Sequence, residues 1–202
     1  EKLYVTEKGG TVRVIEGGTL LPDDFINLRS EINGASDRGL LGIALHPDFP
    51  ATNWVYLLYT YDPAETLSQP DGDPAGPEGK GQRVARLLRV DADPTTNYRT
   101  YVPGSEVVIL GTASTWQNIG DPTAEQDNFD APWSCGASGA YVQDCVPGDG
   151  LSHGIGNVTF GPDGMLYVGI GDAATWSTVD PKATRARGEH QPVDLVLLQL
   201  GL

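Results

Sequence analysis

The chain has 202 residues, a length that can bury one sizeable hydrophobic core. Its 13 basic and 27 acidic side chains give a formal net charge of −14, which repels nucleic-acid phosphates and anionic lipid headgroups. No apolar run approaches the roughly 20 residues that a membrane-spanning helix needs. We therefore expect neither nucleic-acid binding nor membrane insertion.

Short runs of β-branched, aromatic and aliphatic residues recur along the chain, separated by many of its 26 Gly and 15 Pro. These runs predict strands at residues 3–6, 11–14, 42–45, 55–61, 84–90, 107–110, 157–160 and 165–170. Val12 and Val14 alternate with Arg13, which predicts one buried face. The unbroken apolar run 55–59 predicts a strand that is buried on both faces. The sequence thus predicts an all-β domain of stacked sheets.

A loose internal repeat is also present. Apolar–aromatic pairs at 3–4, 55–56 and 166–167 each begin a predicted strand, and Pro-Asp turns occur at 46–49 and 161–164. Periods of about 40 to 50 residues with about four strands each are typical of β-propeller blades. Two unrelated Pro-Asp turns, which are common in proteins, would give the same pattern.

Two segments interrupt the repeat. Residues 68–81 are rich in Gly, Pro and acidic residues and are predicted to form a flexible hairpin excursion. Residues 112–150 form a longer inserted loop that contains Cys135 and Cys145. We expect these cysteines to form a disulfide in an oxidising compartment, with two free surface thiols as the alternative. The acidic run 121–130 lacks the spacing of an EF-hand loop and is interpreted as solvated surface.

One histidine stands where it could do chemistry. The chain has three histidines, which are His46, His153 and His190. His153 precedes the strand 157–160 among small residues, and the turn at 161–164 can return Asp172 to the same end of the hairpin. A carboxylate that accepts from one imidazole nitrogen makes the other a better base. A structural histidine beside a Gly-Asp turn is the alternative that spacing alone leaves open.

Two sequence blocks carry a family resemblance. GLLGIALHPDF at 39–49 and HGIGNVTFGPDGMLYVGIGD at 153–172 resemble, in the same order, two motifs of the glucose/sorbosone dehydrogenase family of soluble quinoproteins. The resemblance implies a six-bladed quinoprotein-type β-propeller. Residues 1–202 would form a single, incomplete domain of about three blades from its N-terminal portion.

The resemblance implies a reaction and roles for particular residues. His153 would contact the cofactor and remove a hydroxyl proton, and Asp172 would orient it. The cofactor, pyrroloquinoline quinone (PQQ), would accept hydride from the anomeric carbon of an aldose and pass electrons to an external acceptor. Asp37 stands where members often have a Gln that contacts substrate and cofactor, and it either keeps a polar contact or caps a turn. His46 is interpreted as structural, and His190 is given no role.

The resemblance has implications for location and partners as well. It predicts a periplasmic or secreted protein with a small sugar as substrate, and it suggests Ca²⁺ as a further cofactor without indicating any metal ligand. The basic residues that the family uses to hold the quinone are expected outside this chain, and residues 187–202 depart from the family pattern. The alternative function is a non-catalytic extracellular propeller that binds a glycan or a protein, against which the presence of His153 and Asp172 argues.

Overall fold

A computed structural model of the chain describes residues 1–68, 79–124, 132–136 and 140–171. Its strands are β1 (Lys2–Glu7), β2 (Thr11–Glu16), β3 (Thr19–Asn27), β4 (Leu40–Leu45), β5 (Trp54–Tyr61), β6 (Arg83–Asp91), β7 (Val107–Leu110), β8 (Val146–Gly148), β9 (Ile155–Phe160) and β10 (Leu166–Ile170). Short 3₁₀ turns lie at Ala64–Ser68, Pro94–Thr96 and Trp116–Asn118. Among the described residues no helix is long and apolar enough to cross a membrane. The predicted all-β class is confirmed.

The strands form three antiparallel sheets. The first has the order β1-β2-β3, the second β4-β5-β6-β7 with β8 beside β6, and the third pairs β9 with β10. Each of the eight predicted strands is present, with small shifts at most of their ends. Consecutive antiparallel strands with hairpin connections are the construction of propeller blades.

Two strands were not predicted. β3 carries a Pro and two Asp, and among its residues only Phe25 and Ile26 are buried, so its apolar signal is weak. β8 lies inside residues 112–150, which the sequence predicted as a loop. Its three residues pair with Arg83, Val84 and Ala85 of β6. This part of the insertion is therefore strand, because β6 extends beyond β7 and offers free backbone groups to pair with.

The first core lies between the first and second sheets. Val12 and Val14 are fully buried there, as the alternating pattern of β2 predicts. Phe25 joins this core and meets Tyr4 edge to face, with ring centroids 5.1 Å apart. Burial of apolar side chains of this size stabilises the fold by about 1.5 to 3 kcal/mol each.

The second core lies between the second and third sheets, and β5 contributes to both cores. Val55, Leu57 and Tyr59 enter the first core. Tyr56 and Leu58 enter the second core, where they meet residues of β9 and β10. This division explains the unbroken apolar run 55–59, because successive side chains of a strand point to opposite faces.

The outer face of the first sheet remains open to solvent. Leu3 and Val5 of β1 are 51% and 41% exposed, and Leu20 of β3 is 53% exposed. They alternate with residues such as Tyr4 that pack against the first core. The first sheet therefore has a core face and an exposed apolar face.

Both Pro-Asp turns have structural roles. In the first, His46 packs edge-on against Trp54 and Phe160, with ring centroids 5.4 and 5.7 Å away. In the second, Asp163 accepts hydrogen bonds from the main-chain N–H of Met165 at 3.0 Å and from the Tyr167 hydroxyl at 2.6 Å. The bond from Tyr167 lowers the pKa of the Asp163 carboxyl. The ring contacts of His46 with Trp54 and Phe160 support its interpretation as a structural residue.

Candidate active site

Two loops meet at one end of the second and third sheets. One loop, residues 33–39, leads into β4, and the other, residues 149–154, leads into β9. The main-chain N–H of Asp37 donates to the carbonyl of Leu151 at 3.1 Å, which joins the two loops. The candidate site residues Asp37 and His153 are thus carried by adjoining loops, although they are far apart in sequence.

His153 lies two residues before β9 and is exposed. Its backbone has φ of 52°, in the left-handed region that residues other than Gly seldom adopt. Next to it in sequence, a Cβ added to Gly154 would meet no heavy atom of the described residues within 4 Å, its two chain neighbours aside. Such backbone conformations cost free energy and persist where the surrounding structure holds them, which is common at functional sites.

The third sheet returns the chain to His153, as the sequence predicts. The main-chain N–H of Gly171 donates to the carbonyl of Gly154 at 2.5 Å. A Cβ on Gly171 would lie 2.1 Å from the His153 carbonyl oxygen, so this approach requires a residue without a side chain. Asp172 lies outside the described residues. Its partnership with His153 therefore stays a prediction.

Asp37 contributes its main chain to the loop contact, and its side chain is exposed. Within the described ranges its carboxylate accepts no hydrogen bond, so no turn-capping bond is seen there. The carboxylate remains available for a polar contact with a ligand. The proposed cofactor-binding role of Asp37 stays a prediction.

Arg38 is the residue of this site whose importance the sequence did not reveal. Only 2% of its surface is exposed, and its guanidinium lies between the loop 149–154 and the residues that precede β6. Its Nη2 donates to the carbonyl of Gly148 at 2.8 Å, and its Nη1 donates to that of Gly81 at 2.7 Å. Nothing in the sequence marks this arginine as buried, although it directly precedes the first motif. The sequence shows the glycines that supply most of its acceptor carbonyls, but it does not show that they lie beside Arg38.

A buried polar network continues from Arg38 into the second sheet. Arg38 Nη1 donates to Asn33 Oδ1 at 3.4 Å, and Asn33 Nδ2 donates to Asp62 Oδ2 at 3.2 Å. Asp62 Oδ1 pairs with Arg83 Nε at 2.9 Å, and both side chains of this ion pair are almost fully buried. Buried charges are tolerated when they are paired and hydrogen-bonded in this way. The network joins the loop 33–39 to strands of the second sheet through buried hydrogen bonds and one ion pair.

The inserted segment also reaches the site. The structure joins Cys135 and Cys145 by a disulfide, and both residues are buried. Next to Cys135, the main-chain N–H of Ser134 donates to the Asp149 carboxylate at 3.1 Å. Asp149 begins the loop that carries His153. The disulfide-linked segment therefore packs against that loop.

No metal centre is found in the part of the chain that the structure describes. There, no group of three or more His, Cys, Asp or Glu side chains could hold a metal ion. In the acidic run, Asp121 accepts hydrogen bonds from the main chain and the hydroxyl of Thr123. Residues 125–130, and likewise His190 with the tail 187–202, lie outside the described residues.

The residues around His153 fit the proton-accepting side of a quinone site. They combine an exposed imidazole, open space at Gly154 and the exposed carboxylate of Asp37. The Arg38 guanidinium, by contrast, donates from all three of its nitrogens to protein oxygens. His153 and Asp37 therefore stay the predicted contacts of such a group.

Comparison with solved structures defines the class of fold. The PQQ-bound form of aldose sugar dehydrogenase from Streptomyces coelicolor is 18% identical, with a TM-score of 0.50 over 87% of this chain and 36% of that chain. An oxidoreductase of Thermus thermophilus described as a glucose dehydrogenase is 21% identical, with a TM-score of 0.47 over 85% of this chain and 34% of that one. The chain thus spans about a third of the length of these structures. Its antiparallel sheets and its match to the first of these structures define a partial fold of the β-propeller type.

The family follows from the sequence. Residues 1–114, more than half of the chain, match the family model of glucose/sorbosone dehydrogenase. The chain belongs to the glucose/sorbosone dehydrogenase family. The family resemblance of the first motif is thereby confirmed. Comparison with curated proteins finds no match.

Proposed function

We propose that the protein containing this chain is a PQQ-dependent dehydrogenase that oxidises an aldose at its anomeric carbon. The observation that carries the proposal is His153, an exposed imidazole on a left-handed backbone in a loop fixed by two neighbouring blades. Family membership supports the same reaction class. A solved structure with the same fold is named as the PQQ-bound form of an aldose sugar dehydrogenase.

His153 is proposed as the general base. Its neutral imidazole would accept the proton of the anomeric hydroxyl at a ring nitrogen, so that the carbon can release hydride. Asp172 is proposed to accept a hydrogen bond from the other ring nitrogen, which would fix the tautomer and stabilise the imidazolium. Asp37 is proposed to make a polar contact with the sugar or the cofactor.

PQQ, when bound, supplies the two-electron acceptor that protein side chains lack. The chain's own part is to orient the sugar hydroxyl towards His153 and to take up its proton. An external acceptor would then remove the electrons. Ca²⁺ remains a proposal from the family resemblance alone.

A periplasmic or secreted location is part of the proposal. The disulfide between Cys135 and Cys145 supports it, because disulfides persist in oxidising compartments and are rare in the cytosol. The net charge of −14 is compatible with a solvated extracellular protein.

The test uses the full protein that contains this chain, reconstituted with PQQ. We expect a quinone absorbance spectrum that an aldose reduces, and a loss of about 10²- to 10⁴-fold in kcat for His153→Ala. His46→Gln is the matched control. It changes a histidine that packs against Trp54, and kcat should stay within about twofold of the original. Failure of the unsubstituted protein to take up PQQ, or full activity of His153→Ala, would refute the proposal.

A further inference from the structure

The loop that carries His153 receives several of its hydrogen bonds from one side chain, that of Arg38. Residues 146–152 are buried, yet β8 ends at Gly148, so the carbonyls that follow have no strand to pair with. Buried carbonyls need donors, because water cannot reach them. The carbonyls of residues 148–151 accept hydrogen bonds from residues 37 and 38 of the neighbouring loop.

Arg38 binds three consecutive carbonyls. Its Nη2 donates to Gly148 at 2.8 Å and to Asp149 at 3.3 Å, and its Nε donates to Gly150 at 3.2 Å. The next carbonyl, that of Leu151, accepts from the main chain of Asp37 at 3.1 Å. Four successive carbonyls directly before Ser152 and His153 are thus held from one side.

The guanidinium suits this task for a geometrical reason. Its N–H groups lie in one plane and point in fixed directions, so one side chain can hold several oxygens at once. The opposite edge of the same group donates to the carbonyls of Gly81, at 2.7 Å, and Gly79, at 3.4 Å. The His153 loop is therefore attached to the second sheet through Arg38.

We infer that Arg38 is a positioning residue for His153. It holds the carbonyls of residues 148–150, and with them the loop in which His153 has its left-handed backbone. The inference rests on the proposed function only where catalysis is measured. The effect on the loop itself can be measured without cofactor or substrate.

The first measurement is hydrogen–deuterium exchange of the full protein without cofactor. In Arg38→Met, we expect the amides of residues 149–155 to exchange about tenfold faster, because several hydrogen bonds to the loop are lost. Amides of β5 should keep their rates. Arg29→Met is the matched control, since Arg29 is 61% exposed and donates to Thr11 and Glu7. Unchanged exchange in the loop, or an equal rise in β5, would overturn the inference.

Arg38→Lys covers the case in which Arg38→Met does not fold. A lysine keeps the positive charge, but a single ammonium cannot reproduce the planar set of donors. We expect exchange in residues 149–155 to be faster than in the original protein while β5 is unchanged. If residues 149–155 of this variant exchange as slowly as in the original protein, a positive charge alone is enough to hold the loop. That result would refute the positioning role of the guanidinium.

The second measurement separates positioning from simple stability. In the active protein, Arg38→Met should lower kcat by about tenfold or more, with KM for the aldose changed less, and Arg38→Lys should restore part of the loss. An unchanged kcat would overturn the inference and leave the proposed function intact. If the unsubstituted protein shows no turnover, the proposed function fails, and the exchange measurement still decides the role of Arg38 in the loop.

Discussion

Glu31 is a half-buried carboxylate between the first and second sheets. Burial raises the pKa of its carboxyl above the usual value, with repulsion by Glu106 adding to the shift and attraction by Arg86 opposing it. The Arg86 guanidinium itself lies over the Tyr61 ring, 3.5 Å from its centroid, and donates to the Ser114 carbonyl at 3.0 Å. Because Arg86 has these other contacts, it compensates the desolvation of Glu31 only in part.

Glu31→Gln should therefore stabilise the protein at neutral pH. The ionised carboxylate is disfavoured in the folded state, and the amide removes that cost, with a gain of about 0.5 kcal/mol after solvent screening. A carboxyl whose folded pKa is raised contributes its stabilisation at low pH and loses it as the pH rises through the folded pKa. The gain should therefore vanish below the ordinary Glu pKa of about 4.3. Urea unfolding of the original protein and of Glu31→Gln, at neutral pH and below the ordinary Glu pKa, measures the difference in their free energies of unfolding.

Asp23→Asn is the control for Glu31→Gln. It removes one negative charge at an exposed position of β3, so it reports the effect of net charge without desolvation. A gain for Glu31→Gln that equals that of Asp23→Asn, or that grows as the pH falls, would contradict the assignment of burial as the main cause.

The inserted segment, residues 112–150, is held together by its disulfide. The bond joins residues ten positions apart, and the carbonyl of Cys135 accepts from the main-chain N–H of Val142 across the small ring. Cys135 and Cys145 also pack with Val84 and Ile119 in a small cluster of their own. The segment thus has its own core beside β6.

The double variant Cys135→Ser with Cys145→Ser should lower the free energy of unfolding by about 2 to 3 kcal/mol. The disulfide closes a short ring, and its loss restores conformational freedom to the unfolded chain. Urea unfolding in the absence of reductant measures the change. Dithiothreitol should lower the stability of the original protein by a similar amount and leave the double variant unaffected. A reductant-insensitive original protein would contradict the prediction.

Across the fold, regular strands could be predicted from the sequence because their side-chain pattern is local. Val12 and Val14 alternate with a polar residue, and residues 55–59 are apolar throughout, so each pattern indicates how many faces are buried. β3 could not be predicted in this way. Its polar residues are tolerated because one side of the first sheet faces solvent.

In the candidate site, too, features that depend on local sequence could be predicted, and features that depend on long-range contacts could not. The position of His153 before a strand, and the hairpin that brings Gly171 back to Gly154, follow from turn residues that are local in sequence. The burial of Arg38 does not, because its acceptors come from residues 79–81 and 148–150, far along the chain. Long-range contacts of this kind leave no periodic pattern in the sequence.

The charge of the molecule predicts how its stability responds to salt. The excess negative charges of a chain with a net charge of −14 repel one another more strongly in the folded state than in the expanded unfolded chain. Ion pairs at the surface contribute little against this repulsion. Raising the ionic strength from about 0.01 M to about 0.15 M shortens the Debye length from about 30 Å to about 8 Å. We expect stability to rise by about 1 kcal/mol, or roughly 2 to 4 °C in Tm, when followed by thermal unfolding. Near the pI of 4.4, where the net charge vanishes, the same salt should have no such effect, and an equal rise there would refute self-repulsion as the cause.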